Sequence, residues 1–335
     1  MPSLRVAVAH GPDDVPEEPK KGVKRKKTDV EQVADALKRE GHEPFFFCVD
    51  GTSECLSKLS RLEADIVFNM VEGFGEDDTK EPHIAAYYEL VGIKFTGSGP
   101  RGLTLAMDKA LTKKVVHFHG VLTPRFVTVH RGRLDWAHDV KFPVIVKPVR
   151  EDGSIGIEFA SHVSNIKELM ERIDALHADF DHPVLIEEFV EGREIYVGVI
   201  GNSPPEALPP VELDLSRLPK GTPRIAGSEV KWEEGTQAYR RTSYKIPDDL
   251  SEDVVEALSD AAKTAFLALG LRDYARIDFR LTKDNEAYLI EANPNPYLHS
   301  SSEFVRAARR SGRTHRRAIA EILDAAMKRY ASATS

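Results

Sequence analysis

Cysteine is scarce in this chain: Cys48 and Cys55 are the only two among 335 residues. They match no metal-binding or redox spacing and point to a reducing compartment without a disulfide framework. No apolar run reaches the roughly 18 residues of a membrane-spanning helix, so no membrane association is expected. The opening stretch, Leu4 to His10, is too short for a signal-peptide core and reads as a first buried strand. A cytoplasmic location is therefore expected. Positive charge is not in excess either, because 54 acidic residues against 46 basic ones leave a net charge of −8. A general nucleic-acid binder is thereby argued against. The Gly-x4-Gly-Lys-Ser/Thr spacing of a P-loop is missing, as are internal repeats and low-complexity tracts. What remains is the balance of a globular chain, long enough for one large domain or two to three smaller ones.

The most informative stretch runs from Arg276 to Asn293. Two runs with apolar alternation flank the polar turn Thr282-Lys-Asp-Asn-Glu286, which is a hairpin signal. Side chains alternate faces along a strand, so Arg276, Asp278 and Arg280 share one face and Ile277, Phe279 and Leu281 the other. The same rule groups Leu289, Glu291 and Asn293 on the return strand. A turn centred on Asp284-Asn285 sets Asp278 opposite Glu291 and Arg276 opposite Asn293. Two carboxylates and an amide oxygen on a rigid sheet are hard ligands that suit magnesium, which substrate phosphates help to hold. The competing reading is a solvent-facing hairpin with ordinary charge pairs.

Upstream, strands expected at 4–10, 45–49, 65–69 and 93–96 alternate with helices at 28–41, 56–62 and 83–91. That alternation implies a parallel sheet with right-handed crossovers. Residues 11–27 read as a loop whose basic run, Lys20 to Lys27, is either solvated or a lip attracting an anionic substrate. One helix is expected over 103–119, then short strands at 126–129 and 144–147, a helix at 166–176, and strands at 184–190 and 194–200. The strand ending in Lys147-Pro148 runs into Gly153, Ser154 and Gly156. Glycines let backbone N–H groups approach a phosphate, and Lys147 adds charge, although a simple hairpin loop fits as well. Gly227 to Ser243 is polar and aperiodic, and so long a loop inside a domain is as a rule functional or mobile. A helix at 250–269 precedes the hairpin, and helices at 303–310 and 314–330 close the chain.

Seven pieces stand in a telling order: Gly73-Phe-Gly-Glu-Asp77, Phe95-Thr-Gly-Ser98, Met107-Asp-Lys109, Lys147-Pro148 with Gly153-Ser154-Ile-Gly156, Glu187-Glu-Phe-Val190 with Glu194, Arg276-Ile-Asp278 and Glu291-Ala-Asn293. In that order they resemble the ATP-grasp carboxylate–amine ligases, and within them the D-alanine–D-alanine ligases, over most of the chain. The resemblance implies a three-domain α/β architecture that is α+β in its ATP-grasp part. An N-terminal parallel-sheet domain would cover 1–106, a central lid subdomain 107–187 and a catalytic subdomain 188–335. It implies that Lys109 and Lys147 hold the phosphates of ATP beneath Gly153, Ser154 and Gly156. Glu187 and Glu188, with the backbone around Phe189 and Val190, would read adenine, and Glu194 would bind ribose. Asp278, Glu291 and Asn293 are the implied ligands of two Mg2+ ions, with Mn2+ as an alternative and Glu291 bridging. Arg276 would stabilise the tetrahedral intermediate, so that Arg276, Lys147 and Ser154 form the implied catalytic set. Ser302 sits where relatives bind the second amino acid's carboxylate, and Lys231 to Arg241 is the implied lid. Amino acids or small carboxylates are the implied partners, and a homodimer through the first domain is compatible with the family.

The departures lie on the substrate side. The first strand leads into His10-Gly-Pro-Asp-Asp instead of a glycine-rich turn with a glutamate, and Val71-Glu72 replaces a histidine. Gly153-Ser154 replaces two serines, Trp232 follows Lys231 where a tyrosine is usual, and Tyr297 replaces a glycine after Pro296. Trp232 and Tyr297 thus join Arg276 and Ser302 as candidate substrate-side residues. The chemistry suits these residue types: a carboxylate must be phosphorylated before an amine can attack it, two metals orient that transfer, and a cation meets the developing oxyanion. Four readings follow: a D-alanine–D-alanine ligase with a divergent pocket, a ligase for other amino acids or a larger carboxylate, a kinase that stops at a phosphorylated product, and a silent ATP-binding module.

Overall fold

In the first strand, Arg5–His10, Val6 and Val8 point into one core while Ala7 and Ala9 point into another, and all four are fully buried. A strand covered on both faces is the mark of a parallel sheet flanked by helices. The computed structural model describes residues 2–14, 25–75, 77–131, 133–135, 139–151 and 153–332. Lys20 to Lys24 of the basic run and Glu76 of the Gly73–Asp77 motif lie outside the described residues.

Arg5–His10 is the middle strand of a three-stranded parallel sheet, between Glu43–Cys48 and Ile66–Asn69. Thr28 caps the helix Asp29–Arg39 with a full capping box to Glu31, and Gly41 leaves it at φ +90°. The fourth strand expected at 93–96 is only a bridge between Phe95 and Val67. Gly92 (φ +76°) and Gly97 (φ +87°) turn the chain on either side and leave no room for more.

A second sheet, antiparallel, runs in the order Arg133–Asp135, Phe126–His130, Val184–Glu188, Val144–Pro148, His162–Val163, with the helix Ile166–Asp179 packed on one face. The third and largest sheet orders Ser243–Lys245, Val211–Asp214, Arg193–Ile200, Tyr274–Leu281 and Ala287–Asn293, with Glu206–Ala207 beside Arg193–Ile200. The helix Glu252–Ala268 buries Leu258, Ala262 and Phe266 against one face of it, which leaves the other face for the cleft. The closing helices, Glu303–Arg310 and His315–Ser332, return to share a core with Val6, Val8 and Leu37. Among the described residues no helix is long and apolar enough to cross a membrane.

Two further expectations change. The helix expected over 103–119 is two helices, Pro100–Met107 and Lys109–Phe118. Asp108 breaks it by adopting extended backbone and accepting from the N–H groups of Ala110 and Leu111, the preferred use of an aspartate at a helix start. The break delivers Lys109 to the cleft. The loop expected over 227–243 contains two short helices, Ser228–Lys231 and Gln237–Arg241, whose Val230 and Ala238 are buried against the large sheet's Tyr196 and Leu213.

Candidate active site

The hairpin Tyr274–Leu281 and Ala287–Asn293 has the expected register at its open end: Asp278 opposes Glu291 and Arg276 opposes Asn293. Below that point Phe279 opposes Leu289, so Ile290 has no opposite number. This β-bulge corrects the face assignment of Leu289, which is buried in the core with Phe279 instead of sharing a face with Glu291. The extra residue resets the alternation, and Ile290 and Glu291 both line the cleft. Arg276 clamps Asp278 with Nε to Oδ1 at 2.8 Å and Nη2 to Oδ2 at 2.9 Å, and its Nη1 lies 3.7 Å from Glu303. Burial drives the Asp278 carboxyl up to about 6 against the pull of Arg276.

Lysines meet this hairpin from the helix Lys109–Phe118 and from the central sheet. Lys109 reaches Glu291 at 2.7 Å and also donates to the Glu151 carbonyl. Burial would raise the Glu291 carboxyl, but Lys109 and Lys147 hold it down at about 2. Lys147 donates to Glu187 Oε1 at 2.7 Å, and Lys113 approaches Oε2 at 3.0 Å as an ion pair without hydrogen-bond alignment. The Glu187 side chain is thus a counter-ion for two ammonium groups. Lys113 was missed, although its i, i+4 spacing from Lys109 puts both on one helix face. It is fully buried, donates to the Ile290 carbonyl at 2.9 Å, and so holds the bulge that presents Glu291. Burial lowers its ammonium to about 8 against the support of Glu187.

The cleft between the two antiparallel sheets spans about 600 Å³ of space, part of it open solvent. Lys147, Ser154, Glu187, Glu188, Phe189, Val190, Glu194, Lys231, Asp278 and Glu291 all line it, so the structure gathers residues from five separate stretches. Glu194 is paired with Arg280 Nη1 at 2.8 Å, and Arg280 Nε donates to the Val190 carbonyl. Arg280 is thus a second residue whose part in the site was missed. Phe189 N–H donates to Pro143 and Glu188 accepts from Lys141 N–H, which fixes the backbone through 188–190.

The glycine loop is shut against the short helices. Ser154 Oγ donates to the Ala226 carbonyl at 2.9 Å, and Trp232 Nε1 donates to the Gly153 carbonyl at 2.6 Å. Gly153, Ser154 and Gly156 all have φ between 59° and 69°, a region that favours glycine. A Cβ on Gly156 would stand 2.5 Å from Pro148 Cγ, so that position admits nothing larger.

The remaining expected residues lie toward the N-terminal sheet. Asn293 is buried and points Nδ2 at the Arg276 carbonyl. Tyr297 is 48% exposed and stacks on His299, with ring planes 8° apart. Ser302 is buried, and its hydroxyl oxygen accepts from the Val305 N–H to cap the helix Glu303–Arg310.

Among the described residues no three His, Cys, Asp or Glu side chains cluster to hold a metal alone. The site instead offers two carboxylates and an amide, a donor set that needs phosphate oxygens to complete it.

The sequence pattern described as the D-ala D-ala ligase C-terminus matches residues 112–324. The D-alanine–D-alanine ligase of Syntrophotalea carbinolica is 32% identical over 300 residues, which cover 89% of this chain and 90% of that one. That of Aquifex aeolicus is 33% identical over 293 residues, 87% and 92% of the two chains. The uncharacterized protein y4sG of Sinorhizobium fredii is 31% identical over 309 residues, 90% and 88% of the two. A crystal structure of D-alanine–D-alanine ligase from Bacillus anthracis, complexed with ATP, superposes with a TM-score of 0.73 over 97% of this chain and 98% of that one, at 19% identity. That likeness establishes the fold.

Proposed function

The chain belongs to the D-alanine–D-alanine ligase family, and from that membership we propose that it is an ATP-dependent ligase that phosphorylates an amino-acid carboxylate and passes the acyl group to the amine of a second amino acid. The observation that carries the reading is the convergence of Arg276, Asp278, Glu291 and Asn293 with Lys109, Lys147 and Lys231 around one cleft. Three separate sheets support reading the chain as three parts, with the second division, expected at 187/188, falling inside the strand Val184–Glu188. A cytoplasmic site of action, where ATP is supplied, goes with it.

In this reading adenine lies against the fixed backbone of Glu188, Phe189 and Val190, and the ribose hydroxyls meet Glu194. Lys109 and Lys147 neutralise phosphate oxygens, and the N–H groups of Gly153 to Gly156 cover them from the other side. Asp278, Glu291 and Asn293 fit magnesium: their oxygens are hard, Glu291 is ionised, and with Asn293 Nδ2 turned to a carbonyl its Oδ1 is left for an ion. Held by these three residues, a Mg2+ pair would supply charge neutralisation of the triphosphate and orientation for in-line transfer. The substrate carboxylate attacks the γ-phosphorus and ADP leaves, giving an acyl phosphate. The amine then attacks the acyl carbon, and phosphate departs as the peptide bond forms. Asp278 takes the Nε hydrogen and one Nη2 hydrogen of Arg276, so the donors left for the oxyanion are the second Nη2 hydrogen and those of Nη1, which also faces Glu303 at 3.7 Å. Ser154, Trp232 and the short helices close over the reaction and keep water from the acyl phosphate.

Tyr297 and Trp232 favour a choice of substrate other than two D-alanines, since both project large side chains where the family's pattern has smaller or different ones. The test is phosphate release from ATP and Mg2+ across D- and L-amino acids, singly and in pairs, with the mass of the product. A dipeptide supports the reading and names the pair. A phosphorylated product that survives an added amine overturns it.

A further inference from the structure

Tyr196 lies midway along the strand Arg193–Ile200, opposite Asp278 in register, and nothing in the mechanism above uses it. Its ring is 1% exposed and packs with Leu213 of the sheet and with Val230 and Ala238 of the two short helices. Two of the site's cations lie over that ring. Arg276 Cζ, from the sheet, is 5.1 Å from the ring centroid, and Lys231 Nζ, from the short helices, is 6.0 Å away. The hydroxyl has no hydrogen-bond partner among the described residues and is buried. A buried hydroxyl without a partner costs stability, so the ring's face and not its oxygen accounts for the residue.

An aromatic face attracts a cation, and more strongly where water is excluded. Asp278 holds the Arg276 guanidinium by its edge, through Nε and Nη2, and leaves the plane free to tilt. Glu303, 3.7 Å from Nη1, adds a charge at the rim, and the ring of Tyr196 lies against the plane itself. We infer that Tyr196 is a positioning residue, whose ring seats Arg276 of the sheet and Lys231 of the closing segment on one surface, so that closure over the cleft and the setting of Arg276 occur together. The inference rests on the ligase reading of the site for its kinetic consequence, and on the packing alone for its structural one.

Two variants separate face from oxygen. Tyr196→Leu keeps an apolar side chain in the cluster and removes the aromatic face, while Tyr196→Phe keeps the face and removes the hydroxyl. With the best substrate pair of the wild type, Tyr196→Leu is expected to lower kcat by about tenfold to thirtyfold. Tyr196→Phe is expected to stay within about twofold of the wild type, with an equal or higher Tm, since the unpartnered hydroxyl is gone. Trypsin cleavage after Arg240 or Arg241 without nucleotide, below the Tm of each variant, is expected to speed up in Tyr196→Leu and not in Tyr196→Phe. A Leu variant that turns over within about twofold of the wild type overturns the inference, and so does a Phe variant that falls as far as Leu. If the wild type releases phosphate with no substrate pair, the ligase reading fails by itself, and the trypsin rates still decide the coupling: equal rates in all three proteins overturn it.

Discussion

The lysine-bearing wall of the cleft and the two outer aromatics, Trp232 against the glycine loop and Tyr297 against His299, are built on different terms. Lys113, Lys147 and Glu187 are each at most 2% exposed, and every one meets an opposite charge within 3.0 Å. Trp232 and Tyr297 are 63% and 48% exposed, one held by a single hydrogen bond to a carbonyl and the other by a stacked neighbour two residues away. A buried charge whose partner is removed is left desolvated and unpaired, so the first wall resists single changes. An exposed aromatic side chain can be replaced at little cost to the fold. The difference lets the buried, charged side hold while the two exposed aromatics are free to change.

Breaking the charged wall at its centre has the largest expected effect. Glu291→Gln removes the carboxylate that faces Lys109 and Asp278, with no change in shape. ATP turnover should fall by roughly 100- to 1,000-fold, as when one preorganised charge is lost from a site. Phosphate release measured with saturating ATP and Mg2+ checks it. A variant that keeps turnover within tenfold would remove Glu291 from the ion-binding set, and with it the contrast between buried charge and exposed aromatics.

Lys113→Met is next. It strips Glu187 of one of two counter-ions and the Ile290 carbonyl of its donor, at a cost of about 3 kcal/mol in unfolding free energy. The pH dependence has a definite sign. The folded-state value of Lys113, about 8, lies below its ordinary 10.5. Between those limits the unfolded chain binds the proton that the folded one has released, so stability rises with pH. Wild type should therefore gain on Lys113→Met as pH climbs from 8 to 10.5 in chemical denaturation. Parallel curves would place the Lys113 ammonium in an environment as polar as water.

Gly156→Ala probes the glycine loop, which Trp232 touches. At φ +68° a side chain is strained, and its Cβ would collide with Pro148 and Phe180. The expected loss is about 1–3 kcal/mol, with the KM for ATP rising more than kcat falls, because in the proposed function the loop would cover phosphate in every bound state. Unfolding and ATP titration of the same preparation check both.

The legible parts of the site were those set by local pattern. The alternation at 276–281 and the polar turn after it placed Asp278 across from Glu291, yet beside the turn the pairing runs one residue short of that register, Phe279 with Leu289, and the bulge restores it at Asp278. Ile290 was beyond that logic: a bulge adds a residue without leaving a mark in the alternation, and it moved Leu289 to the core. The break at Asp108 was within reach, since Met107-Asp-Lys109 contains a helix-capping residue, but the apolar spacing on both sides masked it. Lys113 and Arg280 were harder. Their partners, Glu187 and Glu194, lie 74 and 86 positions away in sequence, and only the order of strands brings them together. Tyr196 has the same cause, since its neighbours Arg276 and Lys231 come from two elements whose meeting no local rule predicts.

Tyr297→Ala has the smallest expected effect on the fold and the sharpest bearing on that contrast between buried charge and exposed aromatics. The side chain is half exposed and its stacking on His299 is local, so unfolding free energy should move by no more than about 0.5 kcal/mol. Nothing links it to the lysines, and the KM for ATP should stay where it is. If its ring narrows the amino-acid side of the cleft, its removal widens the set of accepted substrates, and the KM for the original pair rises by up to about tenfold, the worth of one modest apolar contact. Competition between amino acids of different size, scored by product mass, reads that out directly. A variant with unchanged substrate ratios would move specificity away from Tyr297 and onto Trp232, whose hydrogen bond to the Gly153 carbonyl ties it to the phosphate loop. Specificity and the phosphate loop would then share a residue and could not change independently.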